Sequence, residues 1–280
     1  MTKKEKHAED LEKLIYEFEG ASLDLDIETL KQKLSLLLNG YTCITKRMES
    51  HYAFRARINI GSDFFEKTDE LWYPPKENIQ KPGRLNRINK SIFYISASHD
   101  TATLEVRPKV GDLVTILRVK LKDSARLPHV MELGIAETQS QHGLEITMPL
   151  LEQTNMKGIF LNKEEIRKNL LIRSCISRLM MKVIPGGQED QYKKSVAIAE
   201  ILMESPDIDG VLYPSIAGDG SRGGGGMNMA IKPESADELF VPDHAWVSVV
   251  ENTYEEHGYI MRCVKNVLKI ESGSFVWGSA

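Results

Sequence analysis

The hydrophobic period changes near residue 48, and that change constrains the fold more than any other feature of the chain. Before it, Leu11, Leu14, Ile15 and Phe18, then Ile27, Leu30, Leu34 and Leu37, recur at helical spacing. The second set follows acidic residues suited to a helix start, and Gly20 and Ala21 punctuate the two. These residues predict a helical extension over 1–47, packed on the body or on a partner. After it, Tyr52, Phe54, Ala56, Ile58 and Ile60 alternate with Ala53, Arg55, Arg57 and Asn59, the period-2 pattern of a half-buried strand. Arg55 and Arg57 therefore project from one face of that strand.

Further strands are expected at Ser91–Ser96, Leu113–Leu121, Gly210–Tyr213, Met227–Ile231, Trp246–Val250 and Tyr259–Val264. Trp72–Pro75 reads as a stiff extended connection. Residues 100–107 read as the beginning of a helix. Asn162-Lys163-Glu164-Glu165 resembles a capping box opening a helix to about residue 183, with Ile166, Leu170, Cys175, Leu179 and Met180 on its apolar stripe. A second helix is expected over about 189–204, with Tyr192, Val196, Ala199 and Met203 on one face. Residues 122–160 hold loops and short strands. Together these elements predict an α+β fold with helices packed on a mixed, mostly antiparallel β core.

Composition removes several function classes. The chain has 280 residues, 41% hydrophobic and 27% charged, with a formal net charge of −4, so no sequence-wide pull towards nucleic acid or anionic membranes is expected. No apolar run reaches the ~20 residues of a membrane span. The charged start leads into no apolar signal region, and Cys43, Cys175 and Cys263 lie far apart. A cytoplasmic protein without disulfides or a membrane partner is expected.

Several chemistries also lack their residues. The seven histidines show no metal-ligand spacing, and no G-x-S-x-G elbow exists. Cys175 sits on an apolar helical stripe, where an inert buried thiol is expected. The glycine cluster at 218–226 lacks the Lys-Ser/Thr ending of a P-loop, and a mobile loop between two strands is favoured over direct phosphate binding.

Polar residues at element edges remain. Arg84 lies in the turn Pro82-Gly83-Arg84-Leu85-Asn86, Tyr94 on the next strand, Glu105 within Thr103-Leu104-Glu105-Val106, and Ser215 at the end of Asp209-Gly210-Val211-Leu212-Tyr213-Pro214-Ser215. Singly, they could be a solvated loop charge, a core aromatic, a surface helix acid and a turn cap.

In order, the segments resemble the RES domain family. The resemblance rests on Gly83-Arg84-Leu85-Asn86, Ile92–Ser98 and Thr101–Val106, then on 209–215 followed by Asn228-Met229-Ala230-Ile231. It covers about Phe54 to Ile231, with Leu85 where the family often has a large aromatic. RES domains are similar in fold to ADP-ribosyltransferases of the diphtheria-toxin kind, and many are bacterial toxins that consume NAD.

The resemblance implies a RES-like NAD-processing domain over 48–280. It implies Glu105, Arg84, Tyr94 and Ser215 as catalytic residues. Arg84, Tyr94, Ser215, Arg55, Arg57, Asn86 and Asn228 are expected to bind substrate. NAD would be the substrate rather than a recycled cofactor, and no metal is expected. Cleaving the nicotinamide–ribose bond expels a neutral leaving group and builds an oxocarbenium-like ribose, so one carboxylate, Glu105, can suffice. Arg84 could grip a phosphate bidentately, Tyr94 cover a ring or ribose, and Ser215 bond an amide or phosphate.

With water as acceptor the reaction is that of an NAD glycohydrolase, and with inorganic phosphate that of an NAD phosphorylase. NAD degradation is favoured. An ADP-ribosyltransferase acting on a macromolecule and a non-catalytic nucleotide-binding module are the alternatives. An antitoxin or inhibitory protein partner and a homo-oligomer stay open.

Overall fold

The computed structural model describes residues 3–48, 50–135, 162–217, 226–254 and 258–280, with only the backbone helix described over 3–9. The chain divides into two compact units. The first contains Met1–Thr45, Gln80–Ile88 and Met131–Pro206; the second contains Lys46–Ile79, Asn89–Val130 and Asp207–Ala280. The predicted helical extension falls in the first.

Among the described residues, the α-helices of the first unit are α1 (Lys3–Glu19), α2 (Ile27–Leu37), α4 (Lys163–Met180) and α5 (Lys193–Leu202). Asp26 caps α2 by accepting from Thr29 N at 2.7 Å. Asn162 and Glu165 form the reciprocal capping box of α4. Of the predicted stripes of α1 and α2, Leu11, Ile15, Phe18, Leu30, Leu34 and Leu37 are buried, while Leu14 and Ile27 are half-buried at their edges.

Helix α4 differs from its expected stripe, because Asn169, Arg173 and Ser177 share the buried face with Ile172, Cys175, Ile176 and Met180. Polar groups are buried there because they have partners. Asn169 Oδ1 accepts from Thr42 N at 2.6 Å, and Arg173 pairs with the buried Glu132 at 3.2 Å. The 80–88 segment is tied in by Arg87, whose Nε donates to Glu200 on α5 at 2.6 Å and whose Nη2 donates to Glu28 on α2 at 2.8 Å.

Among the described residues the sheet is mostly antiparallel, with ten strands in the order β1-β5-β6-β7-β3-β2-β4-β8-β9-β10. They are β1 (Thr45–Arg47), β2 (Tyr52–Ile58), β3 (Phe93–Ser96), β4 (Leu113–Leu121), β5 (His129–Glu132), β6 (Gly210–Pro214), β7 (Met227–Ile231), β8 (Phe240–Tyr254), β9 (Gly258–Glu271) and β10 (Ser274–Ser279). The second unit also holds helices α3 (His99–Val106) and α6 (Pro233–Leu239) and short 3-10 turns at Thr68–Leu71 and Lys76–Asn78. The α+β, mostly antiparallel expectation is thus met.

Strand β2 stops at Ile58, and Ile60, expected to continue it, is exposed. Strands β8 and β9 are longer than their hydrophobic patterns suggested, and β10 and α6 were not anticipated.

Register fixes which side chains share a face. Pairing of Phe54 with Ser96, Ser96 with Asn228, and Asn228 with Tyr213 places these four on one face, with Tyr94 two residues along β3 from Ser96. Ala56, Val114, Ile116 and Val250 form an apolar cluster with Ala102 of α3, so this is the face that α3 covers.

Strand β6 is anchored at its start by Asp209, which is fully buried. Its carboxylate accepts from Arg126 Nη1 and Nη2 at 2.6 and 2.8 Å, from His129 N at 2.7 Å and from Ser235 Oγ at 2.8 Å. Burial pushes the pKa of Asp209 up, but the hydrogen bonds from Arg126, His129 and Ser235 and the Arg126 charge outweigh it, leaving the pKa below its ordinary 3.8. A depressed carboxyl pKa stabilises the fold above the unfolded-state value, and that contribution is lost as pH falls through the folded value. Asp209→Asn should cost about 1.5–3 kcal/mol at pH 7 in urea unfolding. Its stability should also fall less than the wild type's as pH drops below 3.8.

Candidate functional site

Helix α3 is short, and its ends are fixed locally. Ser98 caps it by accepting from Thr101 N at 3.1 Å, and Arg107 closes it in the left-handed region at φ 49°. Helical spacing then divides its side chains. Ala102 and Val106 pack on the apolar cluster of β2 and β4, and Thr101 and Glu105, four residues apart, turn towards β6 and β7.

That second contact is close. A Cβ built on Gly226, at the start of β7, would stand 1.9 Å from Thr101 Oγ1, so only glycine allows α3 to lie where it does. The Gly226 carbonyl also accepts from Ser215 N at 2.7 Å, which holds the end of β6 beside it.

Glu105 reaches from this helix to both strands. Its Oε1 accepts from Ser215 Oγ at 2.6 Å and from Asn228 Nδ2 at 2.5 Å. Ser215 and Asn228 are buried, and Glu105 is exposed. Among the described residues none bonds Oε2. One carboxylate oxygen is therefore held by two donors, and the other has no bond from a described residue. Ser215 Oγ in turn accepts from Ala217 N at 3.2 Å.

The structure thus brings three of the sequence-predicted residues, Glu105, Ser215 and Asn228, into direct contact. Tyr94 lies on the same sheet face, half-buried. Arg55 and Arg57 do not join them, since strand alternation puts both on the opposite face of β2. There Arg55 Nη1 donates to Tyr94 O at 2.7 Å and its guanidinium lies 5.7 Å from the Phe93 ring centroid. Its buried Nε has no partner among the described residues. Burial pulls the Arg55 pKa down to about 9, with the Arg57 charge adding to the effect and Tyr94 opposing it. Burial lowers the pKa of Arg57 too, against the attraction of Glu70.

Arg84 and Asn86 belong to the first unit. Arg84 is no solvated loop charge: its Nη1 donates to the carbonyls of Met180 and Lys182 at the C-terminal end of α4, and its guanidinium lies over Tyr192, 5.4 Å from the ring centroid. It satisfies carbonyls that a helix end leaves without intrahelical donors and places a cation at the negative end of the dipole. Ser195 Oγ donates to Arg84 O at 2.6 Å, and Asn86 O accepts from Gly83 N at 2.9 Å. Leu85 between them is a core residue.

Sequence reasoning missed one member of the network. Ser96 Oγ donates to Asn228 Oδ1 at 2.7 Å, and Ser96 is buried. The signal was a lone serine two residues beyond Tyr94 in an otherwise apolar strand. Also missed was an aromatic group at the start of α3, where His99, Phe54 and Trp246 have ring centroids 5.8–6.3 Å apart.

A helix-borne acid anchored by a serine and an asparagine of two adjacent strands is the kind of isolated, half-held carboxylate that can stabilise a developing cation. The family model of the RES domain matches residues 55–249, well over half of the chain, and spans Glu105, Ser215 and Asn228. The chain belongs to the RES domain family, whose theme is that of NAD-acting toxins. A search of curated proteins and a search of solved structures each found no match to the chain.

Among the described residues no group of three or more His, Cys, Asp or Glu is placed to hold a metal, and no helix is long and apolar enough to cross a membrane. The glycine cluster at 218–226 lies outside the described residues except for Gly226. Cys175 is fully buried, and burial, reinforced by Glu19, pushes its pKa up to about 12.

Two outcomes follow from this geometry. Gly226→Ala should lower stability by about 1–3 kcal/mol in chemical denaturation, through the forced shift of α3. At pH 8, peptide mapping after iodoacetamide treatment should find Cys175 unmodified in the native protein and modified once the protein is unfolded.

Proposed function

We propose that the protein degrades NAD by cleaving the bond between nicotinamide and ribose, with Glu105 as the catalytic carboxylate. The observation that carries this reading is the asymmetric bonding of Glu105: two donors on Oε1 and no described partner on Oε2. The RES membership supports NAD as the molecule acted on.

In this reading the C–N bond breaks with its electron pair leaving on nicotinamide, which departs neutral. The ribosyl cation is stabilised by the preorganised negative charge of Glu105. Capture by the oxygen of water, whose proton passes to solvent, yields ADP-ribose; capture by inorganic phosphate yields the phosphate adduct. Tyr94 lines the same sheet face and is proposed to hold a ribose or ring. Ser215 and Asn228 hold the carboxylate. A phosphate-binding role for Arg84 is proposed on the family motif. Depletion of NAD would make the protein toxic in a bacterial cell, and a protein antitoxin is the expected counterpart.

The test is incubation of pure protein with NAD, with and without phosphate and cell extract, and identification of the products by mass spectrometry. Free ADP-ribose or its phosphate adduct is the expected result, and label confined to a macromolecule would instead assign an ADP-ribosyltransferase. Glu105→Gln keeps an acceptor for Ser215 and Asn228 but removes the charge. It should lower kcat by about 10²–10³ with folding and NAD binding retained. Wild-type turnover in that variant would remove Glu105 from the chemistry.

A further inference from the structure

The network around Glu105 has a direction. A carboxylate only accepts hydrogen bonds, so the end of the Asn228 amide that faces Oε1 is the NH₂ group, at 2.5 Å. The carbonyl end, Oδ1, then faces Ser96 Oγ at 2.7 Å, and the hydroxyl must donate to it. The sense of donation runs from Ser96 to Asn228 to Glu105. Ser96 and Asn228 are both almost fully buried, so no solvent molecule readily takes over either bond.

An asparagine amide is nearly symmetrical in shape, and a half-turn about its last torsion exchanges oxygen and nitrogen. In the flipped state Oδ1 would face Glu105 Oε1, setting two acceptors against each other and cutting the donors on that oxygen from two to one. The Ser96 hydroxyl could still accept from the exchanged NH₂. The acceptor-only carboxylate therefore selects the orientation, and the Ser96 hydroxyl satisfies the buried Oδ1 that this orientation leaves facing it; removing the hydroxyl leaves Oδ1 without its donor.

We propose that Ser96 is a positioning residue for the Glu105 carboxylate. By donating to the buried Asn228 Oδ1 it anchors the amide in place, so that the NH₂ stays seated on Oε1 and Oε2 is left as the working oxygen. Ser96 acts only through Asn228. This inference rests on the reading of Glu105 as the catalytic carboxylate and assigns that reading its supporting shell.

Steady-state kinetics of nicotinamide release tests it, in Ser96→Ala, Ser96→Thr, Asn228→Ala and the Ser96→Ala/Asn228→Ala double variant. Ser96→Ala should lower kcat about tenfold with KM for NAD changed less than about twofold. Ser96→Thr, which keeps the hydroxyl, should return kcat to within about threefold of wild type. Once Asn228 is alanine, removing the Ser96 hydroxyl should cost less than about twofold more, because the two act as one unit.

Wild-type kcat in Ser96→Ala would overturn the proposal. So would equal losses in the alanine and threonine variants, or losses that multiply in the double variant, each of which would make Ser96 a packing residue. Glu105→Gln, measured alongside, separates the two levels. If it is inactive while Ser96→Ala is unaffected, only the positioning role falls; if it turns over like wild type, the reading of Glu105 falls first.

Discussion

The hydrogen bonds from Ser215 and Asn228 to one oxygen of Glu105 are the interaction on which the proposed chemistry depends. They fasten a two-turn helix to two strands far away in sequence, and they require each partner to be positioned independently. Gly226 lets α3 approach β7 because no side chain intervenes. Gly210 lets β6 lie against β7, since a Cβ there would stand 2.2 Å from Ala230 O. Asp209 fixes the start of β6 with four hydrogen bonds, and six residues later the strand delivers Ser215. The buried acid holds the strand, and the strand holds the exposed acid.

Much of this was legible in the sequence. The stripes of α1 and α2 and the alternation of β2 and β4 appeared where their periods placed them, because each element buries one face against one partner. The stripe of α4 was misread at Asn169 and Arg173, which are buried by partners distant in sequence, Thr42 and Glu132, that no local pattern announces. Helix α6 begins with Pro233 at its first turn, a start signal passed over because the helix is short. The turn from β9 into β10 at Ser272, φ 47°, and Gly273, φ 79°, matches a tight hairpin signature that was also passed over.

The candidate site was legible in its residue types but not in the contacts they make. Glu105, Ser215 and Asn228 were expected near substrate, yet both ends of the Asn228 amide and the Ser215 hydroxyl are bonded within the protein. Their observed work is to hold the acid. Arg55 and Arg57 were read correctly as sharing a strand face, but which face it was depended on where α3 packs. Arg84 was read as a pocket residue or a loop charge, and it also completes the C-terminal end of α4. Partners across more than 90 residues decided the contacts of Arg84, Glu105, Ser215 and Asn228.

The account is tested most directly by following unmodified NAD with pure, folded protein by proton NMR. It predicts loss of the nicotinamide–ribose anomeric signal with matching growth of free nicotinamide. An unchanged NAD spectrum after prolonged incubation, with NAD bound, would contradict it and leave the protein a nucleotide-binding module.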